Sequence, residues 1–193
     1  MFSRRRVVVA GLLVTVAAAG GVTRFVLSGD DRDPEKATAL VRLGVSELTA
    51  GHIGPARTNF EKAIDADSHN RDAHYNLGYV FQVHDRKPAE AEVEYRRAIE
   101  LDPAFDKALY SLAIVRARAN DFDEAIALYR KAIAANPDFA EAHFNLGILL
   151  MDHVDKALGS REVAKGIQLK PELGAHLATT TTTRPRTTTT RKR

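Results

Sequence analysis

A motif that recurs every 34 residues constrains the fold of this 193-residue chain more than any other feature. Leu-Gly pairs end at residues 44, 78 and 147, and prolines stand at 103, 137 and 171. These spacings are 34 residues or a multiple of it, with one residue inserted between Gly78 and Ala91. A period of this length is typical of a solenoid, in which neighbouring repeats stack and bury a continuous core.

Each period predicts two helices joined by a polar turn. Apolar residues fall at helical spacing in two blocks on either side of turns such as 119–121. A small residue in the first block allows a close approach of the second, which carries runs such as Ala125, Tyr129 and Ala132. The late proline ends the second helix because it has no N–H to donate.

These repeats resemble the tetratricopeptide repeat (TPR), most specifically at the joint 101–105 (Leu-Asp-Pro-Ala-Phe). The resemblance implies an all-α, right-handed superhelical solenoid of four helix-turn-helix units at 37–70, 71–105, 106–139 and 140–173, within a TPR domain at 37–177. Asp33 and Pro34 predict the N-cap and first residue of the first helix. Gly159 and Gly166 stand where alanine is usual, so we expect the last repeat helix to be the weakest. A short capping helix is expected after Pro171.

The resemblance also implies a concave groove lined by the first helix of each unit. Aromatic side chains there would anchor a peptide, and asparagine amides would bond its backbone. A second interpretation stays open, in which Tyr75 and Phe144 only pack between helices. The predicted groove residues are Tyr75, Asn76, Tyr79, Lys107, Tyr110, Ile114, Arg118, Phe144, Asn145 and Ile148.

Some members of this family clamp a peptide carboxylate with lysine, asparagine and arginine side chains. Asn76 and Lys107 match two positions of that clamp, whereas Val41, Val45 and Ser111 replace three others. The sequence therefore does not predict a carboxylate clamp.

The N-terminal segment predicts export across a membrane. Arg4, Arg5 and Arg6 precede an apolar run at 7–22, and such a cluster keeps the N-terminus in the cytoplasm. One interpretation is a signal-anchor at 1–29, followed by a linker at 30–36, with the TPR domain of a single-pass cell-membrane protein outside the cytoplasm. The other is a cleaved signal, with a small-residue site at 17–19, which would give a secreted or periplasmic protein.

Charge is unevenly distributed along the chain. The formal net charge is +3, yet residues 37–177 contain 17 basic and 21 acidic residues. A phosphate-binding face needs clustered basic side chains, so no nucleic-acid partner is expected. The Thr/Arg-rich tail at 178–193 has too few apolar residues to form a core and is predicted to be disordered.

No residue pattern points to catalysis, a cofactor, a metal or a small-molecule substrate. Cysteine is absent, and no nucleophile or phosphate-loop motif is present. His74 and His143 occupy the same repeat position and are interpreted as packing residues. Glutamates alternate at 90, 92 and 94 and are interpreted as a solvated face.

The sequence therefore predicts a non-enzymatic scaffold or adaptor that binds a protein or peptide partner and is attached to a membrane by its N-terminal segment. Two alternatives remain: a non-catalytic regulatory subunit of an envelope enzyme, and a surface-anchoring protein that acts through its basic tail. The partner's identity and the oligomeric state do not follow from the sequence.

Overall fold

The computed structural model describes residues 32–175, and helices make up most of this part of the chain. The predicted N-terminal anchor and the Thr/Arg-rich tail lie outside the described residues. A further helical turn covers residues 172–175, where the capping helix is expected. The helices are α1 Pro34–Thr49, α2 Ile53–Ala66, α3 Arg71–Val83, α4 Pro88–Leu101, α5 Asp106–Arg118, α6 Phe122–Ala135, α7 Ala140–His153 and α8 Lys156–Leu169.

The helices pack in sequence order. Each first helix contacts the second helix of its own unit, and that second helix contacts the first helix of the next unit. In addition, α1 contacts α3, and α3 contacts α5, so the first helices line one side of the array. We call this side the first-helix face (α1, α3, α5 and α7). The predicted all-α solenoid is thus confirmed for residues 33–175.

Local capping explains where several helices begin. Asp33 accepts a hydrogen bond from the Lys36 N–H at 2.9 Å, and Pro34 is the first residue of α1, as predicted. Asn70 caps α3 in the same way, accepting from the Ala73 N–H at 2.9 Å. These side chains satisfy backbone donors that have no partner within the helix.

A small residue in the first helix makes room for a large residue in the second. A Cβ at Gly44 would lie 2.5 Å from Cε1 of Phe60, and a Cβ at Gly78 would lie 2.8 Å from Cε1 of Tyr95. Both aromatic rings are fully buried. The glycines are therefore required by close packing between helices.

The glycines of the last unit have the same explanation, which changes the expectation for α8. A Cβ at Gly159 would lie 2.5 Å from the carbonyl oxygen of Gly147, and a Cβ at Gly166 would lie 2.8 Å from that of Ala140. Both glycines are buried between α7 and α8. They allow the two backbones to approach, so their cost in helix propensity is offset by packing.

The inserted residue lies in the turn between α3 and α4. This turn spans residues 84–87, whereas the equivalent turn between α5 and α6 spans 119–121. Arg86 and Asn120 both have a positive φ, 56° and 63°, which closes the turn. The extra residue thus lengthens one turn and leaves the repeat period of the helices intact.

Within residues 32–175, no helix is long and apolar enough to cross a membrane, and no group of three or more histidine or acidic side chains is placed to hold a metal ion.

Candidate partner-binding groove

All ten predicted groove residues lie on α3, α5 and α7, on the first-helix face. Lys107 and Arg118 are exposed, and the other eight are half-buried. The structure therefore places them on one set of neighbouring helices, where each retains some contact with solvent.

Two of the predicted tyrosines also pack between helices. The Tyr75 ring centroid lies 5.3 Å from that of Phe105, and the Tyr110 centroid lies 4.7 Å from that of Phe139. Burial raises the pKa of Tyr75, and it raises the pKa of Tyr110 to about 12. Both phenols therefore stay neutral, and each ring is half-buried on the first-helix face.

Hydrogen bonds hold several groove side chains in place. Asn145 Nδ2 donates to the Tyr110 hydroxyl at 2.9 Å and so links α7 to α5. Asn76 Nδ2 donates to the Asp72 carbonyl oxygen at 2.7 Å, within α3. The ring centroid of Tyr79 lies 6.0 Å from that of His84, the residue that follows α3.

The charges of the groove are unequally neutralised. Glu141, at the start of α7, accepts a hydrogen bond from Lys170 Nζ at 2.6 Å, and this bond lowers its pKa. Lys107 and Arg118 make no ion pair with any residue in the range 33–175. Both cations are therefore without a salt-bridge partner among the described residues.

His74 and His143 make equivalent polar contacts inside the array. His74 Nδ1 lies 2.6 Å from Glu94 Oε2, and its Nε2 lies 3.2 Å from the Ser68 carbonyl oxygen. His143 Nδ1 lies 2.7 Å from Glu162 Oε2, and its Nε2 lies 3.0 Å from the Pro137 carbonyl oxygen. Each histidine therefore links the two helices of its unit. Each of its two ring nitrogens faces an oxygen that accepts hydrogen bonds, one from a carboxylate and one from a backbone carbonyl.

The interpretation of glutamates 92 and 94 as a solvated face is wrong. Glu94 pairs with the buried His74, and Glu92 Oε2 lies 3.1 Å from Arg116 Nη1 on the next helix. Burial alone would raise the pKa of Glu92, but hydrogen bonds from Arg96 and Arg116 outweigh that effect and lower it. Sequence reasoning missed these pairs because each joins residues about 20 positions apart.

A pocket beside the groove was also missed. It has a volume of about 710 Å³ and lies between the second and third units. It opens at the edge of the array that carries the turns between the first and second helices of each unit. We call it the rim pocket, lined by Val83, Arg86, Pro88, Ala89, Arg118 and Ala119. The residue inserted in the turn between α3 and α4 was the sequence feature that could have pointed to this pocket.

Comparison with known proteins agrees with this architecture. Residues 41–106 match the family described as "Tetratricopeptide repeat", and residues 115–153 match the family described as "TPR repeat". A type IV pilus assembly protein, PilF of Pseudomonas aeruginosa, is 35% identical in a match of 89 residues, with a coverage of 42% of this chain and 35% of PilF. The chain thus spans about a third of the length of this curated relative.

Two solved structures have the same fold. The Pseudomonas aeruginosa PilF structure has a TM-score of 0.67 and 25% identity, covering 75% of this chain and 67% of that chain. The crystal structure of YrrB, described as a TPR protein with an unusual peptide-binding site, has a TM-score of 0.61 and 26% identity, covering 76% of each chain. The repeat period, the helix packing and both family matches identify the chain as a tetratricopeptide-repeat protein.

Proposed function

We propose that the chain is a non-catalytic adaptor that binds a segment of a partner protein in a concave groove along the first-helix face. The observation that carries the proposal is the combination, on adjacent helices, of half-exposed aromatic side chains and cations that make no ion pair within the described part of the chain. Tyr75 and Tyr110 supply the aromatic rings, and Lys107 and Arg118 supply the charge. Such surfaces bind through a few anchoring side chains.

The polar groups of the groove suit an extended peptide. The Oδ1 atom of Asn76 makes no hydrogen bond within residues 33–175 and can accept from a peptide N–H. Tyr79 exposes part of its ring beside it and can cover an apolar side chain. Together they offer one polar and one apolar contact on the same helix.

Similarity to other proteins supports the same function. YrrB is described as having a peptide-binding site, and PilF is named as an assembly protein. Both descriptions concern proteins that act by contact with other proteins. Interaction with a protein partner is therefore the common element that we carry over to this chain.

The proposal includes display of the array outside the cytoplasmic membrane, held by the segment at 1–29. The support is the cluster Arg4, Arg5 and Arg6 before the apolar run at 7–22. A reporter fused after Arg193 should be active only outside the cytoplasm. Replacing the three arginines with neutral residues should reduce its export, and an unchanged signal would contradict this topology.

The groove is tested in cells with a photo-crosslinking amino acid at position 79 of the full-length chain. We expect light-dependent adducts with one protein or a few proteins. The control carries the same amino acid at position 93, because Val93 is 64% exposed on α4, away from the first-helix face. Adducts from position 93 alone, or identical adducts from both positions, would refute binding in the groove.

A further inference from the structure

The rim pocket is open because of two residues that differ between units. Phe122 stacks on the ring of His153 at the equivalent place between the third and fourth units, with centroids 3.8 Å apart. There the remaining pocket has a volume of about 310 Å³, against about 710 Å³ for the rim pocket. Pro88 and Ala119 take these two positions in the rim pocket, so the space that the stacked rings fill is empty.

The charge of the rim pocket also differs between units. Arg118 lies in the rim pocket, and the equivalent residue one unit later is Asp152. Arg86 and Arg118 are exposed, and neither makes an ion pair within the described range. The pocket is therefore bordered by two guanidinium groups that have no ion-pair partner among residues 32–175.

Glu92 also lines the rim pocket, but it does not neutralise these cations. Glu92 is bound by Arg96 Nη2 at 2.9 Å and by Arg116 Nη1 at 3.1 Å. Apolar side chains form one wall of the pocket, and among them Val83 is 47% exposed. A ligand would thus meet a positive edge and an apolar wall.

We propose that the rim pocket receives an acidic residue of the partner protein together with an adjacent apolar side chain. The carboxylate pairs with Arg86 and Arg118, and the apolar side chain fills the space next to Val83 and Pro88. Charge complementarity selects the acidic residue, since like charge at such a contact is repelled. This inference rests on the proposed function, because it adds a second contact for the same partner.

The test uses random twelve-residue peptides displayed on phage and selected on the full-length protein. We expect enriched peptides to carry Asp or Glu next to Leu, Ile, Val or Phe. Affinity of a resynthesised peptide should fall about tenfold or more for the Arg86→Glu/Arg118→Glu protein, and binding should weaken with salt. The matched control is Lys62→Glu/Arg130→Glu, which changes the charge equally at exposed positions outside the pocket and the groove.

A second variant separates the apolar contact from the charge. Pro88→Phe/Ala119→His copies the stacked pair of Phe122 and His153 and fills the pocket, so it should also weaken the peptide. Enriched peptides without acidic residues, or equal binding by all three double variants, would overturn the inference. If the Tyr79→Ala protein loses peptide binding and the rim-pocket variants do not, the result would support binding in the groove and reject the rim pocket. Loss of binding on Pro88→Phe/Ala119→His, with none on Tyr79→Ala, would reject the groove and keep the rim pocket, because this double variant changes no predicted groove residue, whereas Arg118 belongs to both sites.

Discussion

One pair of equivalent positions in the second, third and fourth units is occupied either by a histidine and a glutamate or by two leucines. The fourth residue of the second and fourth units is a buried histidine, and each pairs with a glutamate on the following helix. In the third unit the two equivalent positions are Leu109 and Leu128, which lie in one buried apolar cluster. A polar pair and an apolar pair are thus alternative solutions at the same place.

Replacing only one member of the polar pair should destabilise the protein. We expect His74→Leu to lower the free energy of unfolding by about 1–3 kcal/mol, because Glu94 loses the partner that compensates its desolvation. His74→Leu/Glu94→Leu copies the third unit and should recover at least half of that loss. Urea unfolding measures both variants, and a double variant less stable than the single one would contradict this account.

At the scale of a helix, α8 shows that propensity and packing can oppose each other. Gly159 and Gly166 weaken the isolated helix, since glycine loses more conformational entropy on folding than alanine does. Yet both lie where α7 and α8 approach most closely, and neither has room for a Cβ. Packing decides the identity of these residues.

Helix propensity and packing predict opposite changes in stability when glycine is replaced by alanine in α8. Gly159→Ala should lower the free energy of unfolding by about 1–3 kcal/mol, because the added methyl group forces backbones apart. Gly54→Ala is the matched control in α2, where a Cβ meets nothing within 4 Å. It should leave stability unchanged or raise it by up to about 1 kcal/mol. Thermal unfolding distinguishes the cases, and a Gly159→Ala protein that is more stable would show that propensity prevails.

At the scale of the whole array, ion pairs connect successive units. Arg116 on α5 contacts Glu92 on α4 at 3.1 Å and Glu124 on α6 at 2.7 Å, and it also bonds Asp121. Hydrogen bonds from Arg116 lower the pKa of Asp121, and Lys170 lowers that of Glu141. Charged contacts therefore link the second unit to the third and the two ends of the fourth.

These lowered carboxylate pKa values predict a loss of stability in acid. A carboxylate whose pKa is lowered in the folded state stabilises the fold at pH values above its ordinary pKa. That ordinary pKa is 4.5 for glutamate and 3.8 for aspartate. That contribution disappears as the pH falls through the folded-state values. The midpoint temperature of thermal unfolding should therefore be lower at pH 3 than at pH 6.

An Arg116→Met protein provides the control for this pH dependence. It should be less stable than the wild type at pH 6, and its further loss on acidification should be smaller, because the partner of Glu92 and Asp121 is already gone. Parallel pH profiles for the two proteins would show that Arg116 does not cause the effect.

The sequence by itself determined the repeat period, the start of the first helix and the residues on the first-helix face. These follow from spacing along the chain: the Leu-Gly pairs, the closing prolines and the Asp33 cap act within one unit. Tertiary structure decided the rest, namely which tyrosines pack, why Gly159 is tolerated, and where the rim pocket opens. Each of these depends on atoms of residues that lie on different helices, and a local pattern does not report whether such side chains meet.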